Sequence, residues 1–304
     1  MTNFCIAIHG GAGTILKSSM TPGKEMAYRE ALTVAINTGY AVLKKGGSSL
    51  DAVTAAVIEL ENCPLFNAGK GSVFTHDGKH EMDASIMNGK NSAAGAVAGC
   101  RNVKNPVLLA KAIMEQTEHI LLCGEGAESF AKKINLTFEE DDYFFDQFRY
   151  DQLMEVKDSD KTILDHTDKK FGTVGAVALD KAGNIAAATS TGGMTNKRYG
   201  RIGDTPLIGA GTYANNKTCA VSCTGHGEFF MREVVAYDVS CLMEYKNLSL
   251  KQACEYVVQD KLKAIGGEGG LIAVDANGNM ELVFNSQGMY RASMKEDRLV
   301  VEIY

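Results

Sequence analysis

The succession of predicted elements places this chain in the α+β class, as a four-layer αββα sandwich built by one domain over residues 1–304. Three observations carry that expectation. A short apolar strand opens the chain and is followed by two amphipathic helices. Two runs of small residues, Val174–Leu179 and Ile185–Thr191, flank a turn at Lys181-Ala-Gly-Asn184 and suit a hairpin buried on both faces. The last third runs strand, helices, strands, which supplies a second sheet with its own helical cover.

Taken in order, Phe4–Ile8 reads as a strand ending in His9-Gly10-Gly11-Ala12-Gly13. A helix over about Lys24–Lys45 stops at Gly46-Gly47. Ser48 is an N-cap with Asp51 three residues on, and Leu50, Val53, Val57 and Leu60 form the inward stripe of the next helix. Ser72–His76 and Lys79–Met87 around Asp77-Gly78 predict a hairpin, Ala93–Cys100 a strand, and Pro106 the first turn of a helix to Gln116. Residues 138–152, acidic and aromatic, carry no clear pattern. Thr218–Thr224 is strand-like, Gly227–Tyr245 helical, and Ser249 with Gln252 makes a capping box. Gly270–Asp275 and Met280–Phe284 pair across Ala276-Asn277-Gly278.

Composition excludes several functions. A net charge of −6 with no Lys/Arg block argues against nucleic acid or an anionic membrane as partner. No apolar run approaches the ~18 residues needed to span a bilayer, and the start, lacking a basic segment, reads as a strand and not a signal peptide. The eight cysteines form no C-x-x-C pair, and several lie in apolar segments, so reduced core thiols of a cytoplasmic protein are expected.

One junction stands out. Asp158–Lys170 is polar and charged, the composition of an exposed, mobile linker, and it runs through Gly172-Thr173 straight into the buried hairpin. A cut before Thr173 would put a hydroxyl nucleophile and a free α-amine on one residue. An ordinary α-amine, with a pKa of about 7.7–8.0, is already partly neutral near pH 7, whereas a lysine is not. On the residues alone, a surface loop entering a sheet is the ordinary explanation of the junction. Thr224-Gly225-His226-Gly227, between a strand and a helix start, is either an oxyanion site or a glycine turn. Arg201 and Asp204, three apart in a glycine-bounded loop, suit a zwitterion as a guanidinium–carboxylate pair, or form a surface ion pair. His76 and His80 have zinc-like spacing, but the intervening Asp77-Gly78 turn argues against zinc. His9-Gly-Gly suggests an esterase oxyanion loop, yet no G-x-S-x-G elbow exists. Gly209-Ala-Gly211 suggests a nucleotide loop, yet Asn215-Asn216 stands where a helix should open.

Gly172-Thr-Val-Gly-Ala-Val-Ala-Leu-Asp180 and Thr189-Ser-Thr-Gly-Gly193 resemble the N-terminal-nucleophile hydrolases of the plant-type asparaginase and isoaspartyl peptidase family. So do Ile6–Gly13, Phe66–Gly71, Glu81–Ser85, Gly200–Asp204, Thr224–Glu228 and Gly269–Ile272, in the family's order over nearly the whole chain. The resemblance implies the N-terminal-nucleophile fold and self-cleavage at Gly172-Thr173 into an α chain of 1–172 and a β chain of 173–304. It implies hydrolysis of β-aspartyl dipeptides and asparagine to release aspartate. In that reading Thr173 is the nucleophile, Thr191 hydrogen-bonds it, and Thr224 with Gly225 forms the oxyanion hole. Arg201, Ile202, Gly203, Asp204 and Thr224, Gly225, His226, Gly227 line the substrate site, although His226 is assigned no chemistry, and Asn67 supports it. A structural Na⁺ on the carbonyls of Leu60, Glu61, Cys63, Phe66, Ala68 and Lys70 is implied, with no organic cofactor, as is a cytoplasmic dimer of αβ units. The rivals are a glycosylasparaginase, expected to be secreted with disulfides, a protein-cutting threonine aspartase, and an uncut, non-catalytic relative.

Overall fold

The computed structural model describes residues 4–157 and 172–304; the stretch expected to be a mobile linker, 158–170, lies outside the described residues. The first half comprises β1 (Cys5–Gly13), α1 (Pro22–Lys44), α2 (Ser49–Asn62), β2 (Met82–Asn88), β3 (Ala94–Cys100), α3 (Pro106–Gln116), β4 (Leu121–Cys123), α4 (Gly124–Lys133), α5 (Asp141–Phe144) and α6 (Gln147–Val156). The second comprises β5 (Val174–Leu179), β6 (Ile185–Thr191), β7 (Thr212–Ala214), β8 (Cys219–Gly225), α7 (Gly227–Glu233), α8 (Val235–Lys246), α9 (Leu250–Glu255), β9 (Gly269–Asp275), β10 (Met280–Phe284), β11 (Gly288–Lys295) and β12 (Arg298–Glu302).

The strands form an eight-stranded sheet, in the order β12-β11-β1-β5-β6-β2-β3-β4, and a four-stranded sheet, β10-β9-β8-β7. Strand alternation sorts the side chains into layers. Ile6 and Ile8 of β1, Val174, Ala176 and Ala178 of β5, and Ala186 and Ala188 of β6 face one helical layer, packing with Leu32, Ile36, Val53 and Val57 of α1 and α2. Cys5, Ala7, Val177, Leu179, Ile185 and Ala187 point the other way, onto Ala220, Ile272 and Val274 of the second sheet. That sheet's opposite face, Cys219, Val221, Cys223, Leu271 and Ala273, is covered by Phe230, Val235, Val239, Ala253 and Val257. The layers therefore run helix, sheet, sheet, helix. Thr21 and Ser48 cap α1 and α2, and Ser249 with Gln252 closes the expected capping box.

Four expectations need correction. The glycines after His9 continue β1 to Gly13, with the register against β11 shifting between His9 and Gly11. Ser72–His76 is no strand: the Asp77-Gly78 turn forms, with Thr75 N bonding Lys79 O, but Phe74 O accepts from Asn196 N and His76 N donates to Lys197 O, so the segment runs along the 194–197 loop. The helix over 227–245 is two, broken at Val234 in the left-handed region, φ 50°. There the main chain turns to let Ala236 N and Tyr237 N bond the carbonyls of Ala210 and Gly209, a tertiary demand with no local signal. Strands β11 and β12, absent from the sequence reading, form one edge of the large sheet. All eight cysteines are free thiols.

Candidate active site

The register of the central hairpin brings two threonines face to face. Val174 pairs with Ser190 and Gly175 with Thr189, so one step further Thr173 lies opposite Thr191. Thr173 Oγ1 donates to Thr191 Oγ1 at 3.2 Å, and Gly193 N donates to the same oxygen at 3.0 Å. Asn67 holds the turn after Thr191: its Nδ2 donates to Gly193 O at 2.7 Å, its carbonyl accepts from Gly192 N, and its Oδ1 accepts from Val73 N at 3.1 Å. Ser190 points the other way and donates to the buried Glu61 Oε1 at 2.6 Å, where Val107 N also donates. Burial pushes the Glu61 carboxyl up to about 7.

The residue before Thr173 presses on the β1 bulge. A Cβ on Gly172 would stand 1.9 Å from Gly11 Cα, and one on Gly11, whose φ is +110°, would stand 2.3 Å from Gly172 Cα. Only two glycines allow this approach.

Across the pocket the guanidinium and the buried carboxylate take different roles from the expected pair. Arg201 is not paired with Asp204. Its Nε and Nη2 donate to Glu228 Oε1 and Oε2, both at 2.8 Å. That bidentate geometry fixes the plane of the guanidinium and leaves the Nη1 side free to hold a carboxylate. In the sequence Glu228 is marked only as a carboxylate in the first turn of α7. Asp204 is buried, and its Oδ2 lacks a hydrogen-bond partner among the described residues. Burial pushes its carboxyl up to about 7, although its own main-chain N–H and Arg201 pull the other way. Gly227 fits against both groups: a Cβ there would be 2.9 Å from Asp204 Oδ1 and 3.0 Å from Arg201 Nη2.

Thr173, Thr191, Asn67, Arg201, Asp204 and Gly225, among others, line one small pocket of about 50 Å³. Gly203 also lines it, whereas Ile202, Thr224, His226 and Gly227 do not. His226 instead packs its ring edge-on against Phe229, with centroids 4.7 Å apart. Its N–H donates to Glu268 O, so the donor expected at the helix start is already used. Thr224 backs the site: its Oγ1 accepts from Ala12 N at 3.3 Å and has no acceptor for its own proton among the described residues.

The 60–70 loop turns carbonyls toward its two glycines. A Cβ on Gly71 would lie 2.1 Å from Phe66 O and 2.6 Å from Pro64 O, and one on Gly69 2.4 Å from Glu61 O. Leu60 O, Phe66 O and Ala68 O each accept an N–H within the loop, which leaves every one of them a second lone pair. A main-chain oxygen set of this kind fits a hard alkali cation. His76 and His80 are engaged elsewhere, with Asn196 Oδ1 and with Ser72.

Residues 2–302 match the asparaginase family. The chain is 54% identical over 298 residues to an isoaspartyl peptidase of Salmonella typhimurium, covering 96% of this chain and 95% of that protein. It is 54% identical over 293 residues to the isoaspartyl peptidase of Escherichia coli, covering 94% and 91%. It is 44% identical over 303 residues to the plant-type L-asparaginase of Pyrococcus furiosus, covering 96% of each.

Proposed function

The chain belongs to the asparaginase family, and from that premise we propose a self-processing hydrolase whose nucleophile is Thr173. It hydrolyses β-aspartyl amide bonds, in isoaspartyl dipeptides and in asparagine, and its substrate is a small molecule. The observation that carries the site assignment is the single pocket lined by Thr173, Arg201 and Asp204.

In the precursor, Thr173 Oγ adds to the Gly172 carbonyl carbon. The C–N bond breaks as the nitrogen takes up the hydroxyl proton, and the resulting ester is opened by water to the Gly172 carboxylate and a free Thr173. The close approach of Gly11 to Gly172 supports this, because it fixes the carbonyl carbon's own residue against β1. In turnover, the Arg201 guanidinium holds the substrate α-carboxylate and Asp204, through its unpartnered Oδ2, holds the α-ammonium. The β-carbonyl then faces Thr173. The Thr173 amine takes the hydroxyl proton as Oγ attacks, and passes it to the departing nitrogen. Water cleaves the β-aspartyl ester and releases aspartate. Thr224, whose hydroxyl proton is unspent, and the Gly225 N–H stabilise the oxyanion, a contribution of about 3–4 kcal/mol per donor.

The loop carbonyls of Leu60, Glu61, Cys63, Phe66, Ala68 and Lys70 would hold a Na⁺ that stiffens the segment leading to Asn67. Replacing Na⁺ by choline should then lower the melting temperature. The mature protein is a dimer of αβ units in the cytoplasm, a compartment that suits eight free thiols; light scattering reads the mass. No helix among the described residues is long and apolar enough to cross a membrane.

The deciding experiment is N-terminal sequencing of the incubated protein together with aspartate release from a β-aspartyl dipeptide and from asparagine. A new terminus at Thr173 with release from both is expected; full activity from an uncut chain would sink the proposal.

A further inference from the structure

Between the sheets, next to the nucleophile, lies a row of buried polar groups with no place in the mechanism above. His9 Nε2 is 2.9 Å from Ser222 Oγ, Ser222 Oγ is 2.7 Å from Thr189 Oγ1, and Thr189 Oγ1 contacts Thr212 Oγ1. Thr212 Oγ1 is 2.8 Å from Ser85 Oγ, which lies 2.6 Å from the Thr205 carbonyl. All five side chains are fully buried, so their polar atoms must find partners inside the protein.

Proton counting sets the direction of the row. Ser85 Oγ has donor geometry toward both the Thr205 carbonyl and Thr212 Oγ1 but carries one proton; the carbonyl can only accept and is the closer, so the proton goes there and Thr212 donates to Ser85. Thr189 then donates to Thr212 and Ser222 to Thr189. Four hydroxyl protons serve four contacts, and the fifth contact takes its proton from His9 Nε2. Sending the Thr189 proton to the more distant Gly211 carbonyl, at 3.4 Å, would leave two hydroxyl oxygens of the row facing each other with no proton between them. Proton counting thus makes His9 the Nε2–H tautomer; its Nδ1 makes no well-aligned hydrogen bond, although the Thr173 main chain comes close enough to the ring to pull its pKa up against burial. Burial holds the ring neutral, its pKa down at about 3.

The row begins where the nucleophile sits. His9 is opposite Gly175 in the β1–β5 ladder, two residues from Thr173, and the Thr173 main chain approaches its ring. A Cβ on Gly175 would stand 1.9 Å from Ser222 Oγ and 2.5 Å from His9 Nε2, so this strand lies directly on the first link. The row ends on the residue after Asp204. We propose that His9 is a positioning residue for this reaction. Held in one tautomer by a one-way chain of hydroxyls, it fixes the Thr173 segment and ties it to the turn that carries the ammonium-binding carboxylate. This rests on Thr173 as nucleophile, and the tautomer readout is independent of that assignment.

The test combines ¹⁵N NMR of histidine-labelled protein with kinetics of Thr189→Val and Thr189→Ser, the His9 signal being the one missing in His9→Phe. The proposal expects an Nε2–H pattern for His9 that persists at pH 5. It expects a roughly tenfold fall in kcat for Thr189→Val with KM changed by less than about twofold, since a tenfold loss corresponds to one misplaced hydrogen bond. Thr189→Ser, which restores the link, should recover most of the loss. An Nδ1–H pattern overturns it, and so does a folded Thr189→Val with unaltered kcat. Should Thr189→Val fail to fold, the wild-type tautomer still decides. Activity retained in Thr173→Ala would refute the nucleophile instead, leaving the His9 pattern unchanged.

Discussion

Gly11 and Gly172 pack main chain against main chain, each standing where the other's side chain would be. A methyl group at either position must displace backbone, and at Gly11 it also meets a φ of +110°. Gly172→Ala and Gly11→Ala should each slow cutting before Thr173 by at least about tenfold and lower stability by roughly 1–3 kcal/mol, the usual cost of overpacking. Gel densitometry over time and thermal melts check both.

Thr173→Ala removes the hydroxyl proposed to attack. It should remain uncut and lose turnover on the order of 10³-fold or more. Thr173→Ser keeps the oxygen without the methyl that restricts χ1, so it should cut, slowly, and turn over at a reduced rate. Intact mass and aspartate release read both variants.

Glu228→Ala frees the Arg201 guanidinium from its two-point clamp. KM for a β-aspartyl dipeptide should rise roughly tenfold, kcat should change little, and cutting should proceed normally. Glu228→Gln, which keeps one acceptor, should fall between. A change confined to kcat would contradict this orienting role.

The Asp204 carboxyl, raised by burial from 3.8 to about 7, holds its proton in the folded protein over a range where the unfolded chain has released it. Stability is therefore full below about pH 4 and declines as pH rises toward 7, and Glu61, raised from 4.5 to about 7, adds in the same direction. Melting temperature should be higher at pH 5 than at pH 8, with a shallower slope in Asp204→Asn. Substrate binding runs the opposite way, because only the carboxylate holds an ammonium, so kcat/KM should climb through the same window.

Much of this was legible in the sequence because strand parity and glycine position are local signals. The alternation through Val174–Leu179 and Ile185–Thr191 predicts the hairpin, and its register alone sets Thr173 opposite Thr191. What escaped depends on chains meeting from far apart. Glu228 is an ordinary first-turn acid until Arg201 folds onto it. The partners His9 and Ser222 are 213 residues apart, and nothing in Ala-Val-Ser-Cys marks that serine as the mate of a histidine. The break at Val234 arises from carbonyls at 209 and 210, beyond any helix rule. Strands β11 and β12 lack a clear alternation: β11 is buried on both faces over its first five residues and carries Arg291 there, while the edge strand β12 is exposed and charged at both ends.

The order of strands in the large sheet gives an opened 172–173 bond a lasting effect. β1 lies between β11 and β5, and β6 borders β2, so the two fragments would meet along three separate seams of one sheet. Neither piece could leave without stripping a strand out from between two of the other's. A severed protein would hold together as firmly as a whole one, yet once melted its halves must find each other in solution. Recovery would then depend on dilution, where the uncut chain refolds at any concentration.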